Sequence, residues 1–79
     1  MFKGLIITVQ SYGLFVELPE LFIEGLVHVS TLNDDWYEYR SRQNLLIGRK
    51  SKNTFRVGDL IDIKVIKVDI LKYQIDLEL

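Results

Sequence analysis

The chain has 79 residues, 48% of them hydrophobic, with no cysteine and a formal net charge of −1. That length holds one domain, and the composition suits a single small core and not a disordered chain. Disulfide frameworks, cysteine-ligated zinc and thiol nucleophiles are excluded. No apolar run approaches the ~18 residues of a spanning helix, and the N-terminus lacks the basic and apolar segments expected of a secretory leader. The absence of cysteine fits a reducing compartment, and the expectation is a cytoplasmic protein without membrane contact.

Net charge alone is not that of a nucleic-acid binder, but its distribution is uneven. Residues 17–39 carry Glu17, Glu20, Glu24, Asp34, Asp35 and Glu38 and no Lys or Arg, whereas residues 40–56 carry Arg40, Arg42, Arg49, Lys50, Lys52 and Arg56 and no acid. Two readings stay open at this point. The blocks are solvated polar surfaces that cancel, or the second is a positive strip that attracts phosphates.

Residues 2–10 (FKGLIITVQ) are apolar and β-branched and predict a first strand, with Gly4 marking a bulge or a tight barrel corner. Ser11, Tyr12 and Gly13 predict a short turn. In the second strand, residues 13–18, Val16 and Leu18 alternate with Glu17, so Phe15 shares the water-facing side with Glu17. Pro19 ends that strand. The third strand covers residues 22–29, entered through Glu24 and Gly25. Val27 and Val29 alternate there with His28, which also faces outward. An outward ring beside an outward imidazole on neighbouring strands forms a platform of the kind that stacks single-stranded nucleic acid. Ser30 is expected to cap one helical turn over residues 31–33.

Residues 33–56 are too long for a structureless loop in so small a domain, and predict short strands with a hairpin turn near residues 50–53. Trp36, Tyr37 and Tyr39 read as a satellite packing cluster against the main core. Val57, Gly58 and Asp59 form a turn. Residues 60–69 (LIDIKVIKVD) alternate cleanly through Ile61, Ile63 and Val65. The phase then slips, which predicts a bulge near Ile66 and Lys67, with Val68 facing in and Asp69 out. After a turn at 70–72, residues 73–79 predict a last strand with Ile75, Leu77 and Leu79 inward and Asp76 and Glu78 outward. The fold class is therefore all-β. Five main strands in so short a chain favour a small closed barrel of the OB type, with a helical turn after the third strand and a hairpin-like insertion before the fourth.

The segments G-L-F-V-E, E-G-L-V-H-V-S, V-G-D and K-V-x-x-V-D together resemble the S1 RNA-binding domain across essentially the whole chain. The long form, with L-F-I-E-G-L-V-H-V-S at 21–30, D-D-W-Y-x-Y at 34–39, G-R-K-S-K-N-T-F-R-V-G-D at 48–59 and Q-I-D-L-E-L at 74–79, is most similar to the S1 domains of bacterial ribonuclease R. The resemblance implies a five-stranded antiparallel barrel that binds single-stranded RNA on one face, forming residues 1–79 of a domain taken from a longer exoribonuclease. It implies no cofactor in this domain. In the longer protein it implies processive 3′-to-5′ hydrolysis by a separate catalytic domain expected to use magnesium, together with contacts to that protein's other domains.

Carried onto this sequence, the family's RNA-binding positions are Tyr12, Phe15, His28 and Asp69. A position usually held by Arg is Tyr73, with Lys72 beside it, so either Lys72 supplies the charge or Tyr73 stacks on a base. Arg49, Lys50, Lys52 and Arg56 are a candidate phosphate track. Asp69, being anionic, would accept from base amino groups or a 2′-hydroxyl and not attract phosphate. No catalytic constellation is present: there is no phosphate loop or nucleophile elbow, and a single His builds no metal or proton-relay cluster. The second functional reading is a protein-interaction module whose acidic belt, Glu17 to Glu38, meets a basic partner or a sister domain.

Overall fold

Two-residue alternation decides the architecture, because each inward Ile, Leu or Val contributes about 1.5–3 kcal/mol on burial and a one-residue slip would forfeit a whole strand's set. The computed structural model describes residues 2–72 and 74–79. In chain order the strands are β1 (Phe2–Gln10), β2 (Gly13–Leu18), β3 (Ile23–His28), β4 (Tyr37–Arg40), β5 (Leu45–Gly48), β6 (Thr54–Arg56), β7 (Leu60–Asp69) and β8 (Gln74–Glu78). Five of them close a barrel in the order β1-β2-β3-β8-β7, and β4-β5-β6 form a separate three-stranded sheet. The barrel is an OB-type closure, as the alternation predicts. Four of its pairings are antiparallel, but β3 and β8 run parallel, with Leu26 opposite Asp76 and Val27 opposite Leu77.

The barrel interior is filled by Ile6, Val9, Leu14, Val16, Leu18, Val27, Ile63 and Leu77, each at most 2% exposed. The insertion belongs to this core. Leu46 of β5 is fully buried within it, and Tyr37, Tyr39 and Phe55 pack against it. Tyr37 and Phe55 stack at a tilt, with centroids 5.5 Å apart. The predicted hairpin is therefore present as β5 and β6, joined by the turn at 49–53, and β4 adds a third strand. Trp36 departs from the expected packing cluster and is 79% exposed.

Several local expectations are corrected. The β1 bulge lies between Ile6 and Thr8, not at Gly4. Gly4 is needed instead for close packing, since a Cβ there would overlap the Val16 side chain and crowd Ile63. The third strand begins at Ile23 and not at residue 22, because Phe22 takes a left-handed φ of 53° and turns its ring into solvent. Val29 leaves the strand to start a 3-10 turn over Val29–Thr31. Ser30 lies within that turn and does not cap it. The Thr31 hydroxyl donates to the His28 carbonyl oxygen at 2.7 Å instead.

The β7 bulge is present between Val65 and Lys67, as the phase slip predicts. Val68 then takes the inward phase opposite Ile75, yet it is 56% exposed, because the β7–β8 hairpin runs past the end of the barrel. The last strand covers Gln74–Glu78, and Leu79 lies beyond it, partly exposed and not inward.

Candidate nucleic-acid interface

The wall formed by β2, β3 and β8 carries its outward residues in rows. Glu17 lies opposite Glu24, Phe15 opposite Leu26, and Gly13 opposite His28. Leu26 in turn pairs with Asp76, and Asp76 with Lys67 on β7. Phe15 and His28 thus share one face, two residues apart along the strands, and both are half-buried. Gly13 has no side chain to cover the imidazole. It is required there on backbone grounds too, since a Cβ would overlap the Val27 carbonyl oxygen. Tyr12, half-exposed in the β1–β2 turn, meets the Phe15 ring edge-on, with centroids 6.1 Å apart and planes at 88°. The Tyr12 carbonyl accepts a bond from the Val29 amide at 2.8 Å, which ties the turn to the end of β3. The rings are consequently held in place by backbone pairing, and edge-to-face contact stabilises the pair further.

The polar part of this face differs from the expected one. His28 Nε2 lies 3.4 Å from Asp76 Oδ1, an ion pair when the ring is protonated. Gln74 Nε2 donates to the same oxygen at 3.2 Å. Asp76 is thus the carboxylate beside the imidazole. Its outward phase was legible in the sequence, but its place next to His28 depends on the parallel β3–β8 pairing, for which no local signal exists.

Asp69 plays a structural part, since its Oδ1 accepts from the Lys72 amide at 3.2 Å and closes the β7–β8 turn. Lys72 is exposed and, with Phe15, Glu24, Leu26 and Gln74, lines an open cavity of about 460 Å³. Tyr73 lies outside the described residues.

Arg49, Lys50 and Lys52 are exposed in the β5–β6 turn, and Arg56 ends β6, so the four do not form a strip along one strand. The acidic segment reaches into this turn. Asp35 Oδ2 accepts from the Lys50 amide at 3.0 Å, the Ser51 amide at 2.8 Å and the Ser51 hydroxyl at 2.9 Å, while Oδ1 accepts from the Trp36 amide at 2.7 Å. These bonds, led by the Ser51 amide, hold the Asp35 carboxyl at a pKa of about 2. Tyr37 donates its hydroxyl to both Asp34 oxygens at 3.2 Å; burial, then the Asp34 charge, raises its pKa. Among the described residues, no group of three or more metal-ligating side chains gathers, and no helix is long and apolar enough to cross a membrane.

An OB barrel presents its β2–β3 wall and adjoining loops to oligonucleotides, and that is the wall on which the rings stand here. A family model for the S1 RNA binding domain matches residues 1–79. The chain belongs to the S1 RNA-binding domain family. This S1 domain is 57% identical over 77 residues to the acetazolamide conferring resistance protein zam of Synechocystis, covering 98% of the chain and 10% of that protein. It is 42% identical over all 79 residues to ribonuclease R of Escherichia coli K12, again covering 10% of the relative. Its fold matches Mycoplasma genitalium RNase R, solved in complex with ribose methylated single-stranded RNA, at a TM-score of 0.90 and 28% identity. That match covers 99% of the S1 domain and 12% of the larger chain. The S1 domain therefore spans about a tenth of the length of the curated relatives it matches.

Proposed function

We propose that this S1 domain is a single-stranded RNA-binding module of a longer, cytoplasmic 3′-to-5′ exoribonuclease of the ribonuclease R kind. In this reading the domain grips substrate RNA, and hydrolysis belongs to a separate domain that uses magnesium; no residue of these 79 is catalytic. The observation that carries it is the shared outward face of Phe15 and His28 on one barrel wall, with the Tyr12 ring set against Phe15 from the adjoining turn. The solved relative with bound single-stranded RNA supports the ligand class. Phe15 would stack on a base, with the Tyr12 ring buttressing it. His28, oriented by Asp76, would stack or donate to a base edge. Lys72, beside the Phe15 cavity, would meet the phosphate next to that base, and Asp69 would act through the turn it closes.

Stacking contributes roughly 1–3 kcal/mol per base, so Phe15→Ala is expected to weaken binding of unstructured RNA by about 5- to 160-fold without unfolding the barrel. Anisotropy titration with a labelled single-stranded RNA checks this. Unchanged affinity with native circular dichroism would remove Phe15 from the site.

The sister-domain reading finds its support at another place than the acidic belt. Phe22 is 93% exposed, and with Val68 and Ile70 it rims an apolar cavity of about 540 Å³ at the overshooting end of the β7–β8 hairpin. Apolar surface of this kind marks a protein contact. The relatives carry some nine times as much chain outside the matched segment, so the occupant we propose is another domain of the same polypeptide.

A further inference from the structure

The exposed Trp36 has no role in the core and none in the RNA face described above. It stands on the rim of a cavity of about 630 Å³, a size typical of sites for small organic groups. Two lining residues, Ser11 and Val29, each adjoin a residue of the RNA face, Tyr12 and His28. The cavity therefore begins where that face ends. The indole is presented from a pinned backbone: the Trp36 amide donates to Asp35, and its carbonyl accepts from the Arg49 amide at 2.9 Å. Lys50, in the same bolted turn, lies on the cavity wall together with the polar side chains of Ser30 and Asn33.

Charge gives the strand a direction. At the other end of the face Glu17 and Glu24 lie directly opposite each other, a like-charge pair that repels phosphate except where Lys72, on the same cavity wall as Glu24, offsets it. An RNA crossing Phe15 and His28 is thus steered away from the glutamates and toward Trp36 and Lys50. The two carboxylates in the cavity, Asp34 and Asp35, are engaged by Tyr37 and by the 50–51 turn respectively. Their charge opposes a phosphate in the cavity, which Lys50 on the same wall offsets, and leaves an uncharged base unopposed.

We infer that Trp36 and its cavity form an additional nucleobase subsite, which extends the RNA track beyond the barrel wall, with the base stacked on the indole and the neighbouring phosphate on Lys50. The inference rests on the RNA-binding reading proposed above. It assigns a function to the insertion, whose exposed ring otherwise has no partner among the described residues.

Trp36 is the single tryptophan of the chain, so its emission reports this subsite alone. The experiment titrates the 79-residue chain with a labelled, unstructured RNA of about 12 nucleotides, within the range one OB fold covers, following label anisotropy and tryptophan emission together. Emission should quench with the same midpoint as the rise in anisotropy. Trp36→Ala should weaken binding by roughly 5- to 160-fold, and Trp36→Phe, which keeps a flat ring, should recover most of it. Lys50→Gln should reduce the slope of log K against log salt by about 0.7.

A rise in anisotropy with unchanged emission and unimpaired Trp36→Ala would overturn the subsite and would leave the RNA-binding reading intact. No anisotropy change at any RNA concentration would overturn both.

Discussion

Single side chains here act through the backbone they hold. Asp35 is the clearest case, a solvent-exposed carboxylate that accepts four bonds and ties the start of β4 to the β5–β6 turn. Its pKa lies below the ordinary 3.8, at about 2. A group whose pKa is lowered on folding contributes stability that is complete above about pH 4 and is lost as the pH falls through about 2. Carboxyl-carbon NMR titration should therefore place the Asp35 midpoint near 2. Asp35→Asn should speed hydrogen exchange at the Lys50 and Ser51 amides. A midpoint at the ordinary value would show that the turn is not held this way. His28 is neighboured by a side chain in the same way, its Nε2 lying 3.4 Å from Asp76 Oδ1 on a strand far away in sequence. Alternation alone identified His28 and Phe15 as outward. It could not identify their polar neighbours, because a period of two says which side a residue faces and nothing about which strand lies beside it.

At the level of elements, the parallel β3–β8 contact closes the barrel, and it depends on a glycine. A Cβ on Gly25 would lie 2.7 Å from both Leu77 Cγ and Cδ1 and 3.0 Å from the Ile75 carbonyl oxygen. Leu77 is fully buried and has no room to yield. Gly25→Ala should therefore destabilise the domain by about 1–3 kcal/mol, the cost of overpacking, read as a lower urea midpoint. An unchanged midpoint would mean that β8 can move outward without loss of closure. The sequence placed Gly25 at the entry to the third strand, but what requires a glycine there is this close approach. The β1, β2 and β7 segments were legible over their full lengths, β1 from its apolar, β-branched run, β2 and β7 from alternation bounded by turn residues. The helical turn expected after the third strand is present but lies two residues earlier, at Val29–Thr31, and β4 falls among the expected short strands without bounds that the sequence could set, being short and fixed by pairing.

The whole molecule is a closed barrel with one extended end and one added sheet, 35 Å long and about 22 Å across. The extended end is the apolar one, with Ile70, 79% exposed, on the same cavity rim as Phe22, and Leu71, 92% exposed, next in the chain. If another domain of the longer chain covers it, hydrogen exchange at residues 66–72 should be slower in the full-length protein than in these 79 residues alone. Equal rates would remove that contact. The distribution of charge is likewise a property of the whole, since the acidic and basic blocks meet in the insertion and, of the basic block, only Lys50 reaches the cavity lined by Trp36.

The amino-acid sequence by itself determined the all-β class, the long strands and the outward phase of Phe15 and His28, because alternating burial is a local pattern with a large free energy behind each residue. Only the tertiary structure decided that Val68 stays wet, that Trp36 leaves the packing cluster for a cavity rim, and that Asp76 stands beside His28. Those outcomes depend on where strands far apart in the chain come to lie against each other, and pairing between distant strands leaves no mark in the periodicity of either one.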